Sequence, residues 1–220
     1  MGSVWEAHNL ALDVDVAIKL LRSDLPQGEL AHRLLREARA VARLGHPNIV
    51  RIFDIGQMED GRPFLVMELL RGTSFGQAIS GPERMDPVLA VRSLLPVAHA
   101  LAAAHEAGFV HRDLKPENIF LAEQQGAPPR PILLDFGVAL SWQDLSHRLT
   151  QEGMTIGTPA FMPPEQAAGE DVTFRGDIWS FSVLLYEAVT GRLPFTNTNF
   201  PRLQREIIEQ PAPPFSTHGV

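Results

Sequence analysis

The spacing of apolar residues along the chain changes near Gly72. Before this residue, short β-prone runs at residues 14–21 and 64–67 flank a segment, residues 30–44, in which leucine, alanine and valine recur at helical spacing. The pattern predicts a small sheet packed against one helix.

The remainder of the chain is predicted to be mainly helical. Residues 88–104 form a long apolar-rich run, and residues 178–189 are apolar almost all round, which is typical of a helix buried inside a lobe. Two short apolar runs, residues 119–121 and 132–134, are separated by a glycine- and proline-rich segment, residues 124–131, which predicts a turn between two strands. The expected fold class is therefore α+β, with a small sheet followed by a larger helical part.

Composition limits the classes of partner. The 220 residues carry a formal net charge of -7 and show no basic cluster, so nucleic acid is not an expected partner.

The absence of cysteine excludes disulfides and favours a reducing compartment, so a cytoplasmic location is expected. No stretch approaches the roughly 18 consecutive apolar residues of a membrane helix, and the N-terminus lacks the profile of a signal peptide, so no membrane segment is expected.

Histidine spacing argues against a zinc site. His105 and His111 are six residues apart, whereas the helical zinc motif places its two histidines four apart. His8, His32 and His99 are expected at the surface or on a helix face. No metal site built on histidine is therefore predicted.

One segment concentrates the side chains that phosphoryl transfer requires. Such a reaction needs a carboxylate to orient the attacking hydroxyl, oxygen ligands for a metal ion on the phosphates, and a cation to balance the charge on the moving group. The chain supplies this set in order in His111-Arg112-Asp113-Leu114-Lys115-Pro116-Glu117-Asn118, followed by Asp135-Phe136-Gly137. The order and spacing together make a chance match improbable.

Lysine usage points to the same place. The chain contains only two lysines, Lys19 and Lys115, and all of its other lysine-or-arginine residues, out of 19 in total, are arginine. A position that remains lysine in such a chain is expected to need a compact, mobile point charge rather than the planar fork of arginine. The two lysines are therefore predicted to mark the active site.

These motifs resemble the eukaryotic-type protein kinases, and most closely the bacterial Ser/Thr protein kinases. The resemblance implies a two-lobed kinase fold, with a small antiparallel-sheet N-lobe containing one helix in residues 1–70 and a larger helical C-lobe in residues 71–220. It also implies a Ser/Thr protein kinase, acting in signalling, that transfers the γ-phosphoryl group of ATP to protein hydroxyls. The implied cofactors are ATP and Mg²⁺, with Mn²⁺ as an alternative metal.

The resemblance assigns roles in the phosphate site. Lys19, in Val16-Ala17-Ile18-Lys19, matches the strand lysine that contacts the α- and β-phosphates, and Glu37 matches the helix glutamate that pairs with it. Asp113 is implied as the catalytic base, and Lys115 as the contact to the γ-phosphate. Lysine two residues after that aspartate indicates Ser/Thr rather than Tyr specificity.

The remaining implied ligands surround the metal and the adenine. Asn118 and Asp135 are implied to hold Mg²⁺. The adenine site is implied to comprise the gatekeeper Met67, the backbone of Glu68 and Leu70 at the hinge, and two side chains that close over the ring, which are Val4 and Ala17.

Residues 157–165 resemble the substrate-docking loop and Ala-Pro-Glu motif, with Phe161 and Pro163 in place of the usual tyrosine and alanine. Upstream of this loop, Thr150 and Thr155 are the expected sites of autophosphorylation within a kinase dimer, because an added phosphate there could pair with a nearby arginine and order the loop.

The resemblance also leads us to expect that both ends of the kinase domain are incomplete. Gly2 corresponds to the last glycine of the Gly-rich loop, so the first strand of the N-lobe is expected to be missing. The final helices of the C-lobe would follow Pro214, and with them the arginine that usually pairs with the counterpart of Glu165.

Two alternative functions follow from the same residues. A nucleotide-binding pseudokinase, acting as an interaction module, would keep the pocket and lose catalysis. A small-molecule phosphotransferase of the aminoglycoside type shares an Asp and Asn pair at the spacing of Asp113 and Asn118. The loop at residues 157–165 weighs against the second alternative.

Overall fold

A computed structural model describes residues 3–20, 42–80, 85–136 and 159–218. Its first part is a four-stranded antiparallel sheet in the order β1-β2-β4-β3. The strands are β1 (Ser3–Asn9), β2 (Val14–Leu20), β3 (Ile52–Gln57) and β4 (Pro63–Glu68). The β-prone runs at residues 14–21 and 64–67 predicted β2 and β4, whereas β1 and β3 are additional strands.

The second part contains a smaller sheet and the α-helices that the structure describes. A three-stranded sheet has the order β5-β6-β7, and its strands are β5 (Gly72–Ser74), β6 (Ile119–Gln124) and β7 (Ala127–Leu133). The α-helices are α1 (Phe75–Ile79), α2 (Pro87–Glu106), α3 (Pro164–Ala168), α4 (Phe174–Thr190) and α5 (Phe200–Glu209). Short 3₁₀ turns are Pro116–Asn118, Pro159–Phe161 and Phe215–His218. The α+β fold class predicted from the sequence is confirmed.

Local sequence determines where the two long helices begin. Asp86 caps α2 by accepting hydrogen bonds from the backbone N–H groups of Val88 and Leu89, and proline occupies the first helical position, where no N–H partner is required. The hydroxyl of Thr173 caps α4 by accepting a hydrogen bond from the backbone N–H of Arg175, and Gly191 ends α4 in the left-handed conformation that glycine adopts without strain.

The buried faces of α2 and α4 form the main hydrophobic core, which also receives residues from the small sheet. This core includes Phe75, Ala90, Leu94, Val97, Leu101, Leu114, Ile119, Leu133, Val183 and Leu184. Burial of each large apolar side chain contributes on the order of 1.5–3 kcal/mol before the entropy cost of ordering the chain. Leu114, within residues 111–118, belongs to this core and so anchors that loop.

The segment before β3 ties the four-stranded sheet to the second part. The backbone N–H of Val50 donates to the carbonyl of Leu133 (3.0 Å), and that of Leu133 donates to the carbonyl of Asn48 (2.8 Å). The side chain of Asn48 also donates to the carbonyl of Pro131 at 2.7 Å. The two parts are therefore joined by backbone pairing as well as by the connection from β4 to β5.

The turn predicted at residues 124–131 is shorter than expected. Gln124 pairs with Ala127, so the reversal needs only Gln125 and Gly126, and the three prolines that follow lie within β7. The prediction was wrong because β7 is an edge strand, where proline is tolerated since alternate N–H groups face away from the partner strand and take no part in the ladder.

Two helix predictions need correction. The predicted helix at residues 30–44 falls mostly outside the described residues, but residues 42–44 are not helical, because the left-handed Gly45 and then Pro47 follow directly. The helix at residues 178–189 lies within α4 as predicted, yet it is not buried all round, since Ile178 is 53% exposed. One side of α4 is uncovered by the described part of the chain.

One described helix, α2, is long and apolar enough to cross a membrane by length and composition alone. This is weak evidence, because a core helix passes the same test. In this fold Ala90, Leu94, Val97 and Ala100 of α2 are buried in the main core.

Candidate active site

The loop between α2 and β6 brings three predicted catalytic residues together. The Nζ atom of Lys115 lies 2.6 Å from Oδ2 of Asp113. The side-chain amide of Asn118 donates to the carbonyl of Asp113 (2.7 Å) and to its Oδ2 (3.0 Å). Lys115 and Asn118 are buried, while the Asp113 side chain is 39% exposed, so the carboxylate is held on its buried side and remains open to solvent. We call the space between this loop and the four-stranded sheet the cleft.

The backbone of this loop is strained, and a buried carboxylate holds it. Arg112 has φ of 65°, a left-handed conformation that costs a bulky residue on the order of 1–3 kcal/mol. Its N–H donates to Oδ1 of Asp177 at 2.8 Å, and the N–H of His111 donates to Oδ2 at 2.7 Å. Asp177 lies on α4 and is 1% exposed. Hydrogen bonds to a buried carboxylate are strong enough to offset the strain.

His111 connects the loop to Asp135-Phe136. Its Nε2 donates to the carbonyl of Leu134 (2.8 Å), and its Nδ1 accepts from the N–H of Asp113 (3.3 Å). The two bonds require the tautomer that is protonated at Nε2. Its ring also packs against Phe136, with centroids 4.9 Å apart. The position of Asp113 is therefore coupled to the segment that carries Asp135.

Asp135 faces the lysine of β2. Lys19 Nζ lies 2.5 Å from Asp135 Oδ1, so the structure pairs the lysine predicted to contact the phosphates with an aspartate predicted to hold the metal. Asp135 has φ of 54°, a left-handed conformation that aspartate tolerates better than most residues. The N–H of the preceding residue, Leu134, donates to the carbonyl of Asn118 at 2.8 Å. Asp135 and Asn118 therefore lie at the same end of the β6–β7 hairpin.

Four predicted nucleotide-site residues lie on one face of the large sheet. Lys19 and Ala17 are two residues apart on β2, so they point to the same side. Val4 is paired with Lys19, and Met67 is paired with Ala17, and directly opposed residues share a face. The face that carries the Lys19–Asp135 ion pair therefore also presents Ala17, Met67 and Val4.

The Glu68 side chain belongs to the opposite face. Its Oε1 accepts from the N–H of Arg51 (2.8 Å), and its Oε2 lies 3.7 Å from Arg130. The N–H of Glu68 donates to the carbonyl of Arg51, so any adenine contact at this residue falls to the carbonyl oxygen of Glu68. Leu70 and Met67 both pack against a small cluster formed by Val50, Ala122 and Ile132.

The side-chain oxygen atoms of Asn118 and Asp135 are suitable ligands for a hard cation, such as Mg²⁺, that is bound to phosphate. No cluster of three or more His, Cys, Asp or Glu side chains suited to a metal occurs within residues 3–20, 42–80, 85–136 and 159–218. A magnesium ion on a nucleotide does not need one, because it takes one or two protein oxygens together with waters and phosphate oxygens. The hydrogen bonds of Asn118 use its amide nitrogen, which leaves Oδ1 as a ligand atom beside the Asp135 carboxylate.

The loop that resembles a substrate-docking loop packs on α4. The hydroxyl of Ser180 donates to the carbonyl of Phe161 at 2.7 Å, and Ala160, Phe161 and Met162 are buried. Phe161, which stands in place of the usual tyrosine, is therefore a buried anchor for the loop. Within the described part of the chain, Glu165 forms no ion pair.

Several predicted positions lie outside the described residues. These are Gly2, the predicted glutamate partner Glu37, and the two predicted phosphorylation sites, Thr150 and Thr155.

Sequence reasoning overlooked the role of Asp177. The signal was present, because an aspartate inside a strongly apolar helix must either reach solvent or find hydrogen-bond donors. Its partners are the backbone groups of His111 and Arg112, which lie 66 and 65 residues earlier in the chain. Nothing in the local spacing of residues identifies them.

Comparison with known proteins agrees with this geometry. A family model described as Protein kinase domain matches residues 1–216. The chain is 39% identical over 218 residues to Serine/threonine-protein kinase pkn3 of Myxococcus xanthus, covering 97% of this chain and 40% of that protein. It is 40% identical over 220 residues to Serine/threonine-protein kinase Pkn1 of the same organism, covering 99% and 31%. It is 34% identical over 223 residues to Serine/threonine-protein kinase PknB of Mycobacterium tuberculosis, covering 99% and 35%. The chain thus spans less than half the length of these curated relatives.

Proposed function

The chain belongs to the protein kinase domain family, and from that premise we propose that it transfers the γ-phosphoryl group of MgATP to serine or threonine hydroxyls of proteins. Membership of the family implies ATP as the phosphoryl donor, a divalent metal ion and protein substrates. The observation that carries the proposal is the polar cluster in which Lys115 and Asn118 hold the Asp113 carboxylate open to the cleft.

Each polar side chain has a proposed role. Asp113 accepts a hydrogen bond from the attacking hydroxyl and orients it toward the γ-phosphorus. It accepts the hydroxyl proton as the new oxygen–phosphorus bond forms and the bond from that phosphorus to the bridging oxygen breaks, with ADP as the leaving group. Lys115, 2.6 Å from that carboxylate, balances negative charge on the transferred group. Lys19 contacts the phosphates nearer the adenosine, and its ion pair with Asp135 keeps its ammonium group on that side of the cleft.

Asn118 and Asp135 would hold the metal ion. We propose Mg²⁺, with Mn²⁺ as an alternative, because an amide oxygen and a carboxylate are hard oxygen ligands. The metal, when bound, neutralises negative charge on the phosphate oxygens. The hydrogen bond from Leu134 N–H to the Asn118 carbonyl keeps the two ligands at one end of the hairpin.

Serine and threonine specificity is supported by two observations. Lys115 lies two residues after Asp113, as in the Ser/Thr kinases that the chain resembles. The relatives at 34–40% identity are named serine/threonine-protein kinases, which also weighs against aminoglycosides as substrates. The retention of Lys19, Asp113 and Asp135 weighs against a pseudokinase.

The direct test is transfer of labelled γ-phosphate from MgATP to a generic Ser/Thr acceptor protein and to the chain itself. Asp113→Asn should abolish incorporation, whereas Asp171→Asn, at an exposed carboxylate on the approach to α4, should leave it unchanged. Absence of incorporation by the wild-type chain, with nucleotide still bound, would instead support the pseudokinase alternative.

Autophosphorylation at Thr150 or Thr155 within a dimer remains part of the proposal. Mass spectrometry of the active protein should locate phosphate on one of these threonines. An active preparation in which both are unmodified would contradict it.

A further inference from the structure

The outward face of α2 is apolar along most of its length. Val88, Val91 and Leu95 are 59%, 49% and 55% exposed, although burying side chains of this kind is favourable. Further along the helix, Ala98 is half-buried and Ala102 is exposed. Single exposed apolar residues need no explanation, but five on one face of one helix form a continuous patch. We call these five residues the α2 seam.

The α2 seam has the spacing of a helix–helix contact. Its members follow one another at intervals of three, four, three and four residues, which is the pattern of the a and d positions of a coiled coil. The residues that α2 buries in the main core, such as Leu94, Val97 and Leu101, lie on a different face of the helix. The seam is therefore a second apolar face, which the described part of the chain does not cover.

Side-chain size changes along the α2 seam. Its first half carries valine, valine and leucine, whereas its second half carries only two alanines. Two parallel seams would set large side chains against large ones and leave the alanines apart. In an antiparallel pair, the large half of each seam packs on the small half of the other, which fills the space evenly. Size therefore favours an antiparallel pair of α2 helices.

The charges beside the seam favour the same arrangement. Arg92, His99 and Glu106 are all exposed, and they follow one another at intervals of seven residues, so they form one row along the seam. If two copies of α2 lie antiparallel about a twofold axis near His99, Arg92 of each copy lies opposite Glu106 of the other. Within the described part of the chain, Arg92 and Glu106 form no ion pair of their own.

We propose that the α2 seam binds a second copy of this chain, with the two α2 helices antiparallel. The seam is about 21 Å long and about 10 Å wide. This falls short of the roughly 800 Å² that each partner buries in a standard interface, so the dimer is weak and forms at high protein concentration. The inference does not rest on the proposed function, because the oligomeric state is measured without ATP.

A lipid surface is a less suitable partner for this face. Helices that lie on membranes are rich in lysine and arginine on their polar side, whereas α2 carries only Arg92 and the chain has a net charge of -7. Sedimentation with vesicles of neutral and of anionic phospholipid tests this alternative. Vesicle binding by a chain that forms no dimer would overturn the proposal.

The first measurement is sedimentation equilibrium of the whole chain from micromolar to millimolar concentration. We expect a reversible monomer–dimer equilibrium. Leu95→Glu places a charge in the middle of the seam and should raise the dimer Kd at least about tenfold. Should this variant not fold, Val91→Glu takes its place. A wild-type chain that stays monomeric throughout, or a folded variant that dimerises as well as wild type, would show that the seam does not bind a second copy.

Charge reversal tests the antiparallel arrangement. Arg92→Glu or Glu106→Arg alone sets like charges opposite each other at two symmetric places, so the dimer Kd should rise about tenfold. The double variant should return Kd to within about twofold of wild type. The two positions are too far apart to interact within one helix, about 21 Å, so restoration requires contact between copies.

Arg205→Glu, at an exposed position on α5, is the matched control and should leave Kd unchanged. A double variant that dimerises no better than the single variants would rule out the antiparallel pairing.

Cross-linking locates the twofold axis. The chain contains no cysteine, so an introduced cysteine is its only thiol. With a short bismaleimide reagent, His99→Cys should give covalent dimers, because the two copies of this position face each other across the axis. Arg205→Cys should give few. Equal yields from the two variants would contradict the proposed interface.

Discussion

Lys115 is 5% exposed, yet its ammonium nitrogen lies 2.6 Å from Oδ2 of the partly open Asp113 carboxylate. Burying an ammonium is costly unless it is paired, so the contact explains how a lysine can be held beneath a cleft. It also places positive charge beside the carboxylate that we propose receives the substrate hydroxyl.

Replacing this lysine should reduce kcat more than substrate binding. For Lys115→Met we expect kcat to fall about 100-fold with KM for ATP changed little, because in the proposed role the ammonium acts on charge that develops in the transition state. Lys115→Arg should not restore kcat, because a planar guanidinium does not fit the space of a buried ammonium. Steady-state kinetics of both variants tests this, and a kcat near wild type in either would contradict it.

The metal requirement should depend on Asp135. Asp135→Asn removes the charge of one proposed ligand, so we expect the Mg²⁺ concentration for half-maximal rate to rise about tenfold or more. It also leaves Lys19 without the partner that lies 2.5 Å away.

The measurement is the rate of phosphate transfer against Mg²⁺ concentration at fixed ATP. Asp54→Asn, on β3, is the control and should leave the curve unchanged. An unchanged midpoint in Asp135→Asn would show that Asp135 does not hold the metal.

Gly72, where β5 begins, cannot accept a side chain. A Cβ atom at this position would lie 2.1 Å from the carbonyl oxygen of Leu121, and its φ of 143° is a conformation that residues with side chains rarely adopt. Gly72→Ala should therefore lower the free energy of unfolding by about 3 kcal/mol or more, because the clash is with backbone that cannot move freely.

Urea unfolding checks this, with Gly61→Ala as the comparison. Gly61 also has positive φ, but nothing lies within 4 Å of its added Cβ, so we expect a loss of only about 1 kcal/mol. Equal losses in the two variants would mean that the contact with Leu121 is not the cause.

Glu187 on α4 should make stability depend on pH. Burial, followed by the negative charge of Glu117, raises the pKa of Glu187 from 4.5 to about 7. Its Oε2 is buried and accepts no hydrogen bond from the described residues. Between these two values the folded chain retains a proton that the unfolded chain has released, so stability falls as pH rises from 4.5 to about 7.

Glutamine resembles the protonated glutamate in shape and does not ionise. Glu187→Gln should therefore raise Tm relative to wild type at pH 8 and show little difference near the ordinary pKa of 4.5. Thermal melts at the two pH values measure this, with Glu123→Gln on the exposed end of β6 as the control. The same Tm difference at both pH values would contradict the prediction.

Apolar periodicity identified the elements whose buried faces are continuous. β2, β4, α2 and α4 were predicted because their apolar residues recur at the period of a strand or a helix. β1 was missed because most of its residues are exposed, so burial leaves little pattern in its sequence. The extent of β7 was missed because prolines indicate a turn unless the strand is known to be at an edge.

The identities and spacing of Asp113, Lys115 and Asn118 were sufficient to indicate phosphoryl-transfer chemistry, because these side chains lie within one short loop whose contacts are local. The contacts that hold this loop are not local. His105 meets Asp177 across 72 residues, and this meeting depends on how α2 packs against α4. Apolar side chains determine that two helices pack, but the register and rotation at which they pack depend on the whole core, so only the tertiary structure shows which polar groups come within hydrogen-bond distance.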